Sequence, residues 1–294
     1  MADAAILDRD AVVARLRAHP MRGQPAELRT AFRQRVLGGA GRPDDGPLTF
    51  RPVDRAPRMA PVIWFHGGGY VFGGPDTHAR IGEYLCERHG LTVHLPRYPL
   101  APDHGWPVQR DSALEFVDDV AAASGCTPIL AGDSSGGHLA LVVALARARE
   151  GQPAAALLLC SPNTDRSGLS RTRAANAEHD PMVDPEADDA LARMCFADRD
   201  STDREMSPLL DDLSLLPPTW IEVGAEEVLL DDSRLLAERA RAAGAGVELV
   251  VTPGLLHMAQ VWARRWDLAD ASLDRAAAFA VEHGADRDAE GQAS

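Results

Sequence analysis

Lysine is missing from this 294-residue chain; all 30 of its basic side chains are arginine. A P-loop needs a lysine on the phosphates, a pyridoxal enzyme needs one for its Schiff base, and a Ser-Lys dyad needs the amine. All three chemistries are excluded. Abundant Ala and Arg beside the missing lysine point to a GC-rich genome as its cause. Positive charge is short as well. Forty-four acidic residues leave a net charge of −14, so there is no electrostatic footprint for a phosphate backbone and no nucleic-acid partner is expected. Cysteine is scarce, and Cys86, Cys126, Cys160 and Cys195 stand far apart without CxxC spacing or a metal-ligand cluster. They read as reduced, small apolar residues. Long apolar runs are absent too: the longest, 139–146 and 153–160, fall well short of the roughly 20 residues of a membrane span. The first residues carry no basic n-region, so a cytoplasmic protein without a membrane span is expected.

A chain of this length can bury roughly three quarters of its unfolded surface without disulfides. Apolar positions at helical spacing predict helices over 8–19 and 25–37, ended by His19-Pro20 and Gly38-Gly39. A Gly/Pro/Asp-rich linker, 38–47, follows. Strands are predicted at 48–53, 61–65, 91–95, 128–131, 155–160, 219–223 and 247–251. Amphipathic helices fall between them at 77–89, 108–123, 136–150 and 232–243, with a last one at 270–283. Near-continuous apolar strands alternating with helices imply an α/β class, with a mostly parallel sheet covered on both faces. The polar interval 163–215, with one helical stretch at 185–196, reads as an inserted cap. The organisation is therefore 1–47 as N-terminal helices and linker, 48–283 as the α/β domain, and 284–294 as a disordered polar tail.

Gly132-Asp133-Ser134-Ser135-Gly136-Gly137 fits G-x-S-x-G centred on Ser134, at the end of a strand and the start of a helix. That setting is a nucleophile elbow, where flanking glycines let the backbones approach. His66-Gly67-Gly68-Gly69 directly follows the strand 61–65. Its backbone N–H groups, at Gly67 and Gly68, could form an oxyanion hole with the N–H of Ser135. His66 itself is expected to hold the loop by hydrogen bonds, and His138 to serve in packing. A serine at such an elbow is followed along the chain by its acid and then its histidine. Only His257 and His283 come late enough, and His257 sits in the loop after the strand 247–251. Four carboxylates compete for the acid: Glu226, Glu227, Asp231 and Asp232.

The HGGG loop, the GDSSGG elbow and the run from Leu216 to Gly224 resemble the bacterial hormone-sensitive-lipase-like esterases, over about residues 48–270. The resemblance implies an α/β-hydrolase fold with a helical cap. It places the acid at Glu227, with Leu229 and Asp231 following, where the family usually has Asp; Glu226 and Asp231 are the alternatives. Tyr98-Pro99-Leu100-Ala101-Pro102-Asp103-His104 resembles the family's Y-R-L-A-P-E-H with Pro99 in place of Arg, and Asp180-Pro181-Met182 resembles a cap-region motif. The stretch 207–232 and Leu256-His257-Met258 look like the subgroup of monoterpene lactone hydrolases and antibiotic-pathway acetyl-hydrolases.

The expected chemistry is two-step acyl transfer by Ser134, His257 and Glu227 on a small-molecule ester, with no metal or organic cofactor. Tyr70, Phe72, Met182, Met194, Phe196, Met206 and Leu256 are candidate pocket residues, as a set suited to small or medium apolar acyl groups. Lactone, N-acetyl or amide hydrolysis uses the same groups. A ligand-binding or lyase member of the fold is the reading from another class. A homodimer is compatible with the sequence.

Overall fold

The computed structural model describes residues 6–39, 46–53 and 59–284. The tail at 285–294 and most of the linker lie outside them. In chain order the elements are α1 (Arg9–Ala18), α2 (Pro25–Leu37), β1 (Leu48–Phe50), β2 (Val62–Phe65), α3 (Pro75–His89), β3 (Val93–Leu95), α4 (Val108–Ser124), β4 (Ile129–Asp133), α5 (Ser135–Arg149) and β5 (Leu157–Cys160). Then come α6 (Thr172–Ala175), α7 (Pro185–Phe196), β6 (Thr219–Gly224), α8 (Leu230–Ala242), β7 (Val247–Thr252) and α9 (Asp267–Gly284).

The seven strands form one sheet in the order β1-β3-β2-β4-β5-β6-β7, parallel except for β1. Successive strand residues feed two different cores, as the two-residue period requires. Val62 and Trp64 join Ile81, Leu85, Leu273 and Ala276 from α3 and α9 on one face. Ile63 and Phe65 join Val117, Leu141, Val143 and Leu236 from α4, α5 and α8 on the other. All four β2 residues are therefore buried, which explains why the strands read as unbroken apolar runs. One charge lies inside β6: Glu222 is buried, accepts from the Ser272 hydroxyl at 2.7 Å, and is also held by Thr252 and Arg275.

The edges of the elements differ from the sequence expectation for local reasons. β1 stops at Phe50, two residues before Pro52, which has no N–H to give an edge ladder. β4 runs on to Asp133, opposite Cys160 of β5, because the strand carries the chain up to the turn. The interval 163–215 contains α7 as expected, plus the single turn of α6 and two 3₁₀ turns, at Pro208–Leu210 and Leu213–Leu215. Val12, Val13 and Leu16 of α1 and Phe32 and Val36 of α2 pack into the same core as β2 and β4.

Candidate active site

Ser134 stands between β4 and α5 with φ 54° and ψ −122°. A non-glycine residue there is strained by roughly 1–3 kcal/mol, and such strain persists only where the surroundings over-determine it. The surroundings here are glycine. A Cβ on Gly136 would run into the carbonyl oxygens of Phe65 and His66, and one on Gly132 into the Gly136 carbonyl. The helix can thus start hard against the sheet, with Ser134 at its amino end. Gly136→Ala should destabilise the fold by about 3 kcal/mol through this overpacking, read as a fall in Tm of about 5–10 °C; an unchanged Tm would show that the close approach is dispensable.

Asp133, the residue before the serine, is fully buried and ties the elbow to the glycine loop. Its Oδ1 accepts from Trp64 Nε1 at 2.7 Å, and its Oδ2 accepts from the Gly67 N–H at 3.0 Å and lies 3.2 Å from His78 Nε2. Burial pushes this carboxyl up, but His78 and Trp64 outweigh it and hold it below the usual range. His66 lies face to face with Tyr98 at 4.2 Å between ring centroids, and its Nδ1 is 2.9 Å from the Gly67 carbonyl oxygen. Tyr98 donates to the His66 carbonyl at 2.5 Å. Burial, helped by neighbouring His78, drives the His66 imidazole down to about 3, so it is neutral and serves the loop.

Gly67, expected as an oxyanion donor, faces away from the cavity. The N–H of Gly67 is spent on Asp133, and Gly67 does not line the cavity that contains Ser134. Gly68 and Gly69 do line it, and among the described residues neither N–H has an acceptor. Gly68 has φ 124°, a conformation that only glycine adopts without strain.

Glu227 and His257 meet in a buried pair, with His257 Nδ1 2.8 Å from Glu227 Oε2. The other carboxylate oxygen accepts from the Gly224 N–H at 2.6 Å and the Ser161 hydroxyl at 2.8 Å. Burial lowers the His257 pKa, but the hydrogen bond and charge of Glu227 more than compensate, and the net shift is upward. The competing carboxylates face elsewhere. Glu226 is exposed and pairs with Arg9, Asp231 accepts from the Arg171 and Thr172 N–H groups, and Asp232 holds Thr164, Asp165 and Arg173.

Ser134 and His257 share a cavity of about 260 Å³. Phe72, Met182 and Met194 line it, along with Met21, Phe32 and Leu191. Four other expected pocket residues lie outside this lining. Tyr70, Phe196 and Met206 surround a separate small void with His138, because Tyr70 turns away from the glycine loop to place its hydroxyl 2.6 Å from His138 Nδ1. Leu256 packs in the core beside Trp220 and Trp262. Burial drives His138 down to about 3. Among the described residues no group of three or more His, Cys, Asp or Glu could hold a metal ion, and no helix is long and apolar enough to cross a membrane. The four cysteines are free thiols.

Residues 62–261 match a family model described as alpha/beta hydrolase fold. The chain belongs to that family. Its relatives include an esterase from Acinetobacter venetianus, 32% identical over 75% of this chain and 74% of that protein. Carboxylesterase NlhH from Mycobacterium tuberculosis is 34% identical over 83% and 81%. An acetyl-hydrolase from Streptomyces hygroscopicus is 29% identical over 82% and 84%. Among solved structures, an esterase from the bacterial hormone-sensitive lipase family superposes with TM-score 0.81 at 28% identity, covering 94% of this chain and 97% of that one. A hormone-sensitive lipase from a metagenome library gives TM-score 0.83 at 26% identity, covering 95% and 100%. Within the α/β hydrolases this chain falls in the hormone-sensitive-lipase branch.

Three groups around the Glu227–His257 pair of this hydrolase were not singled out from its sequence. Ser161, at φ 46°, aims its hydroxyl at Glu227. Asn176 donates to the Glu227 carbonyl at 2.9 Å. Asp180 accepts from the Met182 and Val183 N–H groups and from the Val228 N–H at 3.0 Å, so the cap grips the backbone beside Glu227. Burial raises the Asp180 pKa. Only Asp180 had a signal, the Asp-Pro-Met motif, and nothing in the motif named its partner.

Proposed function

We propose that Ser134, His257 and Glu227 form a catalytic triad, with the N–H groups of Gly68, Gly69 and Ser135 as oxyanion donors, acting on esters of small to medium apolar acyl groups. That the chain is an ester-hydrolysing enzyme follows from its family. The observation that carries the finer reading is the strained Ser134 opening onto the same cavity as a histidine already paired to a buried carboxylate.

In this mechanism neutral His257 takes the Ser134 proton as the hydroxyl attacks the ester carbonyl. Glu227 keeps the imidazole in one orientation and favours its charged form. The developing oxyanion meets N–H groups held in place by the loop and the start of α5, each worth about 3 kcal/mol. His257 returns the proton to the leaving alcohol, and water repeats the sequence on the acyl-enzyme. The apolar walls given by Phe32, Phe72, Met182 and Met194 support an apolar acyl or alcohol group. Lactones and N-acetyl compounds pass through the same tetrahedral species, and the acetyl-hydrolase relative keeps them in the substrate panel.

The test is hydrolysis of p-nitrophenyl acetate and butyrate as a function of pH. The raised His257 pKa places the acid limb of kcat/KM above pH 6.5, since the base must be deprotonated to act. No turnover, or an acid limb below 6.5, would defeat the proposal.

A further inference from the structure

Among the described residues, one buried charge in the cavity has no counter-charge. Arg35, on α2, lines the cavity that holds Ser134 and His257 and is only 6% exposed. Its Nε donates to the His19 carbonyl at 2.5 Å. Among the described residues its two terminal nitrogens have no acceptor, and no carboxylate lies within ion-pair distance. The acidic residues of the lining are already engaged: Asp188 lies between Arg166 and Arg173, and Asp184 caps α7 by accepting from Glu186 and Ala187. Burial lowers Arg35 to about 10, which leaves it charged at neutral pH.

A buried cation without a partner is destabilising, and the turn after α1 uses only one of its five donors. The rest point to a partner that arrives with the substrate. A planar guanidinium matches a carboxylate through two parallel hydrogen bonds, and the apolar walls beside it exclude the water that would screen the pair.

We propose, resting on the triad reading above, that Arg35 is a specificity residue that binds a carboxylate carried by the ester substrate, so that the cavity prefers half-esters and related acid-esters over neutral esters. The carboxylate can sit on the acyl or on the alcohol side of the scissile bond, and matched substrates separate the two. Monoethyl glutarate against ethyl pentanoate tests the acyl side. 4-Acetoxybutyrate against butyl acetate tests the alcohol side.

Initial rates in a pH-stat at pH 8 should give one acid-ester a kcat/KM about 10- to 100-fold above its neutral counterpart. In Arg35→Met that ratio should fall to about one, and Arg35→Lys should keep part of it. A wild-type ratio near or below one in both pairs overturns the proposal, and so does a preference that survives in Arg35→Met. If Arg35→Met does not fold, the wild-type ratios with Arg35→Lys decide: a preference that weakens in the lysine variant supports the proposal, and one that is unchanged overturns it. Failure of the wild type on every ester would overturn the triad reading with it, whereas good turnover of neutral esters without discrimination overturns the Arg35 assignment alone.

Discussion

Ser134→Ala should lower kcat for p-nitrophenyl butyrate by about 10⁵- to 10⁶-fold, with little change in KM. The magnitude follows from the way a nucleophile, base and acid act as one unit: without the attacking oxygen the histidine has no proton to take, and only the oxyanion donors and binding remain. The Ser134 hydroxyl has no hydrogen-bond acceptor among the described residues that the substitution would leave unpaired. The strained backbone comes from the turn and not from the side chain, so Tm should stay within about 2 °C of wild type. Retained turnover in a folded Ser134→Ala protein would remove Ser134 from the chemistry.

Glu227→Gln should cost about 10⁴-fold in kcat, again with KM nearly unchanged. A carboxylate accepts at both oxygens, and here one takes the imidazole while the other takes the Gly224 N–H and the Ser161 hydroxyl. An amide has one oxygen. If that oxygen stays with Gly224 and Ser161, the amide NH₂ faces His257 Nδ1, donates to it, and forces the proton onto the nitrogen that must accept from Ser134. The histidine is then the wrong tautomer, and its charged form loses its counter-charge. Glu226→Gln is the comparison, since Glu226 is exposed and pairs with Arg9 on the surface; its rate should stay within about twofold, as for most surface changes. If Glu226→Gln is the damaging variant, the acid has been misassigned.

The contrast between those two neighbouring glutamates illustrates what could be read from the sequence. Strands buried on both faces, such as β2 and β5, leave unbroken apolar runs and were legible for that reason; the half-exposed edge strands β1 and β7 were legible from their β-branched and apolar content, and the elbow because its glycines and serine are adjacent in the chain. The choice among Glu226, Glu227, Asp231 and Asp232 rested on family likeness, since local spacing carries no statement about which carboxylate faces a residue 30 positions away. The bond from Gly67 to Asp133 was hidden for the same reason: it joins residues 66 apart. A run of three glycines does not say which N–H is already occupied. Pocket residues were least legible, because an aromatic or methionine side chain fills a core as readily as it lines a void. Arg35 gave no signal at all, as an arginine on a short amphipathic helix is ordinarily solvated.

The arginine pairs that close the cap also order the events of acidification. Asp188 of α7 sits between Arg166 and Arg173, and Arg173 reaches on to Asp232 of α8. Burial alone would raise the Asp188 pKa, but the two guanidinium groups dominate and hold it far below the ordinary carboxylate value. A carboxylate with a depressed folded-state pKa contributes stability above its unfolded value and loses it only as the pH falls through the folded one. His257 is shifted the other way and protonates above pH 6.5. Between these two titrations the latch between α7 and α8 remains shut, so on the proposed triad an acidity that protonates the base does not dismantle this latch, and raising the pH back through the His257 titration restores the base.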